Sequence, residues 1–464
     1  MKLFLMIFLI SGILIGKNLQ IRSRESISNI ELLDVYIHTV QEIPIAIIPG
    51  GLGGTNFVDI SNPSALNVLG EYFAFGCDWA RIYAWSAKDY VAYGSGRKCG
   101  IHVVNINDVS HPTHLSTIVG TSNDGSIIRY EHTSVYENLL LASRHQNGVE
   151  IFNIENPESP QTISTIETDN AWATTADNHF LYIADGGFGI KIFDITDPSS
   201  PFQVSEIVTT GTAKDVEKRG DFLFVAVGAA GVDMIDVSEP VDPFFVSNYN
   251  TTGYASRISV NDSLVAVSDW DDVEVLEYSK GELELTGYKS TGGRVMALAM
   301  MGKIIYSAEW LRMSVFEYGE IQQADIDLST RKIEYPRTEN GFTSISHIQI
   351  ENNGLSPLNI SGIYINSADF SHNPIELTLQ PKTSQSMVVN YSPSGNVWIA
   401  NLEFLSNDHD ENQTRVRLLG NFPMGPMPGD HAPNFTLPVV NGTDNLSLND
   451  LNGNPAVIAF FTGW

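Results

Sequence analysis

At 464 residues the chain exceeds one ordinary domain, and a composition with 10% aromatic and 17% charged residues can fill large cores rather than remain disordered. A formal net charge of −28 makes nucleic acid and anionic membrane surfaces poor partners and fits an acidic, solubilising surface. Two cysteines, Cys77 and Cys99, allow at most one internal disulfide.

From the N-terminus, Lys2 precedes an apolar run from Leu3 to Gly16, which has the form of a secretory signal and is short for a membrane span. Lys17, Arg22 and Arg24 follow it, and no small-residue cleavage motif separates them. Residues 1–26 are therefore expected to act as a signal peptide or an N-terminal anchor. The protein is expected to be extracytoplasmic (secreted, periplasmic or at the cell surface), with any membrane contact made only through that anchor.

A phrase then recurs: apolar alternation, an acidic or amide landmark, one apolar residue, and a turn ending in proline. It reads Phe57-Val-Asp-Ile-Ser-Asn-Pro63, Val104-Asn-Ile-Asn-Asp-Val-Ser-His-Pro112, Phe152-Asn-Ile-Glu-Asn-Pro157, Phe193-Asp-Ile-Thr-Asp-Pro198 and Ile235-Asp-Val-Ser-Glu-Pro240, with shortened copies at Leu276-Glu-Tyr278 and Phe316-Glu-Tyr318. The landmarks Asp59, Asn105, Asn153, Asp194, Asp236, Glu277 and Glu317 lie roughly forty residues apart, the period of four-stranded propeller blades. An earlier strand such as Phe180-Leu-Tyr-Ile-Ala-Asp185 and a glycine-rich hairpin such as Gly186-Gly187 complete each unit. Residues 27–320 are thus expected to form a seven-bladed β-propeller. The landmarks are expected to bond turn amides as scaffold, and Ile30–Tyr36 to close the ring by completing the last blade. Cys77 and Cys99 fall within one repeat; a disulfide and a pair of unbonded residues both remain open.

These phrases, above all Ile192-Phe-Asp-Ile-Thr-Asp-Pro198, resemble the LVIVD-repeat propellers of bacterial and archaeal exported proteins. The resemblance implies a surface or extracellular scaffold and brings no catalytic set with it.

After Tyr318 the period breaks. Ile348-Gln-Ile-Glu-Asn-Asn-Gly354, Val388-Val-Asn-Tyr-Ser-Pro393, Leu402-Glu-Phe-Leu-Ser-Asn-Asp408 and Val416-Arg-Leu-Leu-Gly420 are short alternating strands between turn residues. Residues 321–421 are expected to be an Ig-like β-sandwich, whose strand order resembles the Hydin-like Ig domains. Asn407-Asp-His-Asp-Glu-Asn412 offers oxygen ligands but lacks the EF-hand order, so a solvated hairpin is expected. The same expectation covers Asp269, Asp271 and Asp272 around Trp270. His111, His114, His132 and His145 are expected to be loop histidines without a paired acid or metal spacing. No metal and no cofactor are expected.

Residues 422–428 form a Pro-rich linker. Gly429-Asp-His-Ala-Pro-Asn-Phe-Thr-Leu437 and the apolar run within Pro455–Trp464 resemble the opening of a thioredoxin-fold redoxin of the peroxiredoxin and thiol–disulfide type. In that family a Trp precedes the nucleophilic Cys, held at a helix N-terminus that lowers its pKa. The match places the nucleophile immediately after Trp464, so residues 429–464 are expected to be an incomplete α/β segment; either a fragment or a selenocysteine codon read as a stop accounts for that ending. The expected fold class is mainly β: propeller, Ig-like sandwich and incomplete thioredoxin-fold segment. Two functions follow. One is an exported thiol- or selenol-dependent oxidoreductase carried on a propeller scaffold, though without a catalytic residue in this chain. The other is a non-enzymatic binding or adhesion protein, monomeric, using the propeller face on an unknown protein or surface ligand.

Overall fold

A computed structural model describes residues 17–27, 31–50, 54–74, 82–96, 99–120, 128–279, 281–291, 293–374, 376–394 and 399–421, with two short paired strands at Thr436–Pro438 and Asn445–Ser447. Cys77, the redoxin-like marker apart from those strands, Trp464 and the apolar leader up to Gly16 lie outside the described residues. Among the described residues the secondary structure is β throughout, and no helix is long and apolar enough to cross a membrane.

Among the described residues of 17–320, seven four-stranded antiparallel sheets succeed one another. Six are continuous in sequence, at 36–72, 82–118, 132–166, 173–207, 215–249 and 255–290. The seventh joins Val295–Met301, Ile304–Glu309 and Arg312–Glu320 to Lys17–Glu25 from the opposite end of the chain. The first strands of successive sheets touch in turn, and Val295–Met301 returns to meet Tyr36–Val40, so the array closes on itself as a β-propeller. The ring is closed by Lys17–Glu25, a segment assigned to the leader from sequence. The segment expected to close it instead leads into the first sheet, with Leu32 bridged to Gly50. The physical reason lies in the alternation of Leu19 and Ile21 with Asn18 and Gln20: Leu19 enters the core between the sixth and seventh sheets, while the strand covers an otherwise open edge.

Between neighbouring sheets the cores are aliphatic and aromatic, as in Tyr182, Ile192, Val216, Leu223 and Ile235 between the fourth and fifth. Glycine is required in the hairpins: Gly189 and Gly231 have φ of +81° and +85°, and a Cβ there would meet Ile207 O at 2.2 Å and Tyr249 O at 2.1 Å. Five of the seven landmarks behave as expected, whereas Glu277 accepts from Tyr318 OH at 3.0 Å and Glu317 pairs with Arg22. Asp59, Asn105, Asn153, Asp194 and Asp236 each accept the backbone N–H two residues on at 2.8–2.9 Å.

Residues 326–419 form a second unit. A four-stranded sheet containing Ser344–Asn352 and Ser384–Tyr391 faces a five-stranded sheet containing Leu358–Ile365, Ile399–Ser406 and Gln413–Leu419. Both contribute to one core of Ile348, Ile350, Val389, Leu402, Phe404 and Val416.

Candidate functional site: a basic cleft at the junction

The two units meet over a buried charge network. Lys289, at the end of the sixth sheet, is 0% exposed, and its Nζ lies 2.9 Å from Asp325, 3.1 Å from Glu411 and 3.7 Å from Asp327. Burial alone would lower its pKa, but these carboxylates outweigh it and hold the ammonium charged well above its usual range. Asn18 donates to Asp325 at 3.1 Å and to Asp327, and accepts from Tyr288 N at 2.8 Å. The closing strand therefore also fastens the second unit. Asp408 and Glu411, expected in a solvated hairpin, are buried: Asp408 accepts Ile326 N at 2.8 Å, and Ile21 N donates to Asp410 at 2.7 Å. Tertiary packing has used the hairpin's oxygens as acceptors for another strand's amides.

Beside this network opens a cleft of about 810 Å³ between the seventh sheet and the sandwich. Arg24, Arg294, Arg312, Arg331, Lys332, Arg415 and Arg417 line it, seven of the chain's 26 Lys and Arg residues, against Asp271 and Glu411. Several are positioned by neighbours. Arg331 lies 3.3 Å from Glu411, Arg415 lies 2.8 Å from Glu403, and Arg312 bonds Glu309 and donates to Thr291 O at 2.5 Å. Arg294 lies over the Trp270 ring at 4.0 Å from its centroid, with the Trp310 ring at 5.5 Å. Trp270 holds a φ of +66° and stays 46% exposed at the rim. Donor capacity remains inside: Arg24 Nε and Nη2, Arg331 Nε and Thr414 Oγ1 are buried without hydrogen-bond partners. Burial lowers the Arg24 pKa, opposed by Glu411. Arg24 also lies 3.7 Å from Glu411 and Lys332 2.8 Å from Glu334, so five of the seven cations have a carboxylate neighbour, and the cleft offers an anion forked donors with a modest excess of positive charge carried by Arg294 and Arg417.

The propeller's axis holds a second cavity of about 430 Å³, lined among others by Asp34, Trp85, His132, Asp215, Glu217 and Arg257. Burial raises Asp34 to about 6 and Glu217 to about 8, and lowers His132 to about 4. Three acids, Asp34, Asp215 and Glu217, face Lys218, Arg219 and Arg257 there, so the axis lacks the charge imbalance of the cleft.

Sequence-chosen residues are scattered across the fold. His132 is on the axis, His114 bonds Thr117, and His111 pairs with Asp108 at 3.2 Å. His145 lies 3.1 Å from Glu131, so two of these histidines do have an acid, contrary to expectation. The acids come from a neighbouring turn residue and from the start of an adjacent strand, which spacing does not reveal. Asp269 and Asp272 are buried rather than solvated, because Thr251, Thr252 and Gly253 fold over them. Cys99 is buried, and no described cysteine is a free thiol. The cleft arginines escaped sequence reading because positions 24, 294, 312, 331 and 415 become neighbours only through ring closure and docking. Their scarcity elsewhere in so acidic a chain was the available signal.

The fold and its repeats define a β-propeller. The LVIVD repeat family matches residues 54–73, 170–209 and 210–251, so the chain carries LVIVD repeats. Two solved propellers are similar in fold. One is described as the structure of U3-55K (11% identity, TM-score 0.51, covering 65% of this chain and 98% of that one), the other as the crystal structure of RRP9 WD40 repeats (10% identity, TM-score 0.50, covering 65% and 97%). No curated protein matches the chain.

Proposed function

We propose that this is an exported, non-enzymatic binding protein whose cleft between propeller and sandwich holds an acidic, carboxylate- or sulfate-bearing polymer of a cell surface. The observation that carries the reading is the gathering of seven cationic side chains in one cleft of a chain with net charge −28. Such a cleft attracts an anion locally while the rest of the surface repels non-specific polyanions, which selects for shape as well as charge. On this reading the propeller has seven blades, the second unit is Ig-like, the protein is monomeric, and the leader is removed before Asn18, whose side chain the junction needs. Cys77 and Cys99 form a disulfide, consistent with Cys99 not being a free thiol.

The test is binding of alginate and dextran sulfate, with neutral dextran as control, across salt concentrations. Arg294→Ala combined with Arg417→Ala should weaken binding about tenfold or more and flatten the salt dependence. Equal affinity of wild type and variant, or no preference over dextran, overturns the reading.

A second reading rests on the Gly429–Leu437 phrase: a redoxin-type thiol or selenol oxidoreductase, with its nucleophile directly after Trp464. Reading the transcript beyond codon 464 decides it. An in-frame Cys or selenocysteine codon followed by thioredoxin-fold sequence supports it, and unrelated sequence removes it.

A further inference from the structure

Three residues before each landmark, every propeller sheet places one side chain at the same register of its third strand: Asn56, His102, Glu150, Lys191, Asp233, Glu274 and Ser314. Where this residue is charged it has a complement. Glu150 meets Arg144 at 3.0 Å and Tyr130 OH at 3.0 Å. Lys191 meets Asp169 at 2.5 Å and Asp185 at 2.9 Å. Asp233 accepts from Thr210 N, Thr210 Oγ1 and Asn248 Nδ2 at 2.6–2.8 Å.

The sixth sheet supplies the same kind of donors but more acid: Thr252 N and Oγ1 donate to Glu274 at 3.1 and 3.0 Å, as Thr210 does to Asp233, yet two further carboxylates crowd the position. Glu274 is 0% exposed and Asp272 3% exposed, and with buried Asp269 they bring one oxygen each to within 4.8 Å of one another. Among the described residues no Lys, Arg or His forms an ion pair with any of the three. Thr252 Oγ1 stands among them, 3.2 Å from Asp269, 3.0 Å from Asp272 and 3.0 Å from Glu274. Its hydroxyl carries one proton and so satisfies one of these contacts. Two carboxylate oxygens, Asp272 Oδ1 and Glu274 Oε2, are buried with no hydrogen-bond partner at all. A missing positive charge explains the orphan oxygens and the crowding of three carboxylates together.

The geometry points to a divalent-cation site of the calcium class formed by Asp269, Asp272, Glu274 and Thr252. All donors are hard oxygens, which disfavours thiophilic metals. With Thr252 Oγ1 at 3.0–3.2 Å from each acid and the carboxylate oxygens within 4.8 Å of one another, the group has the spacing of ligands around an ion held at roughly 2.3–2.6 Å. Calcium accepts irregular and bidentate carboxylates and dehydrates readily, whereas magnesium demands near-ideal octahedral geometry and dehydrates reluctantly. The other acid group, Asp325, Asp408 and Asp410, is different in kind: Lys289 and the Ile326 and Ile21 amides already fill its acceptors.

The experiment is thermal denaturation and equilibrium dialysis of the full chain, stripped with EGTA and titrated with calcium chloride or magnesium chloride. Calcium near millimolar, the range of extracellular modules, should raise Tm by roughly 2–4 °C and bind at one saturable site; magnesium should do neither at equal concentration. Glu274→Gln should raise Tm in EGTA by relieving repulsion, which shows that the variant folds, while losing the calcium shift and the bound equivalent. The inference is overturned if calcium gives no shift and no retention, or if Glu274→Gln keeps the full stoichiometry, which would place the ion elsewhere.

Discussion

The fourth and sixth propeller sheets use the same backbone position for opposite chemistry. In the fourth, Lys191 pairs across from Ile183 and its ammonium lies between Asp169 and Asp185, the latter 0% exposed. In the sixth, Glu274 pairs across from Val267 in the same register and points its carboxylate at two more acids. The strand geometry fixes where the side chain goes, and the preceding connection supplies the groups around it. A single residue type then decides whether the site is closed by a built-in cation or left to take one from solution. The Lys289 junction is the fourth sheet's solution on a larger scale, with three carboxylates around one ammonium.

The comparison is broken most severely at that junction. Lys289→Met should leave Asp325, Asp327 and Glu411 buried without their shared cation and cost about 3–5 kcal/mol, read as a lower urea midpoint with the two units unfolding separately. A loss below about 1 kcal/mol would mean the carboxylates simply protonate. Next comes Lys191→Glu, which imposes the sixth sheet's arrangement on the fourth. It should cost about 2–3 kcal/mol, less than the junction variant, because Asp169 remains half exposed and retains its water.

How much of this could be read in advance follows from where each signal lives. The landmark Asp194 and the hairpin Gly189 act on amides and carbonyls within their own sheet, so their spacing carries the fold. Position 191 sits three residues before the landmark and repeats as faithfully, but its chemistry varies from Lys to Glu to His, so a search for conserved phrases passes over it. Lys17–Glu25 was hidden for another reason: an edge strand has no local partner, and its alternation follows directly on an apolar leader. The cleft and the junction combine residues hundreds of positions apart, and neither exists until the ring closes and the sandwich docks.

The mildest departure tests whether the axis, where Lys218, Arg219 and Arg257 stand among the acids, obeys the same rule. Glu217 accepts Val260 N at 2.7 Å; burial, with Asp215 adding to it, raises its pKa to about 8 against an unfolded value near 4.3. A carboxyl raised by folding binds its proton more tightly in the native state, so its contribution is full below about pH 4 and is lost as pH climbs toward 8. Asp34, raised to about 6, has completed its own loss by then. His132, lowered to about 4, acts in the opposite sense and only up to its unfolded value near 6.5. Lys214, lowered to about 8, begins to act only above that pH. The interval from about pH 6.5 to 8 therefore isolates Glu217 among the axial groups. Glu217→Gln should remove about 1–2 kcal/mol of pH-dependent loss, measured as the difference in urea midpoints between wild type and variant across pH 4–9. Parallel profiles for the two proteins would mean that water in the axial cavity solvates the carboxylate and that the axis, unlike the sixth sheet, imposes no electrostatic demand.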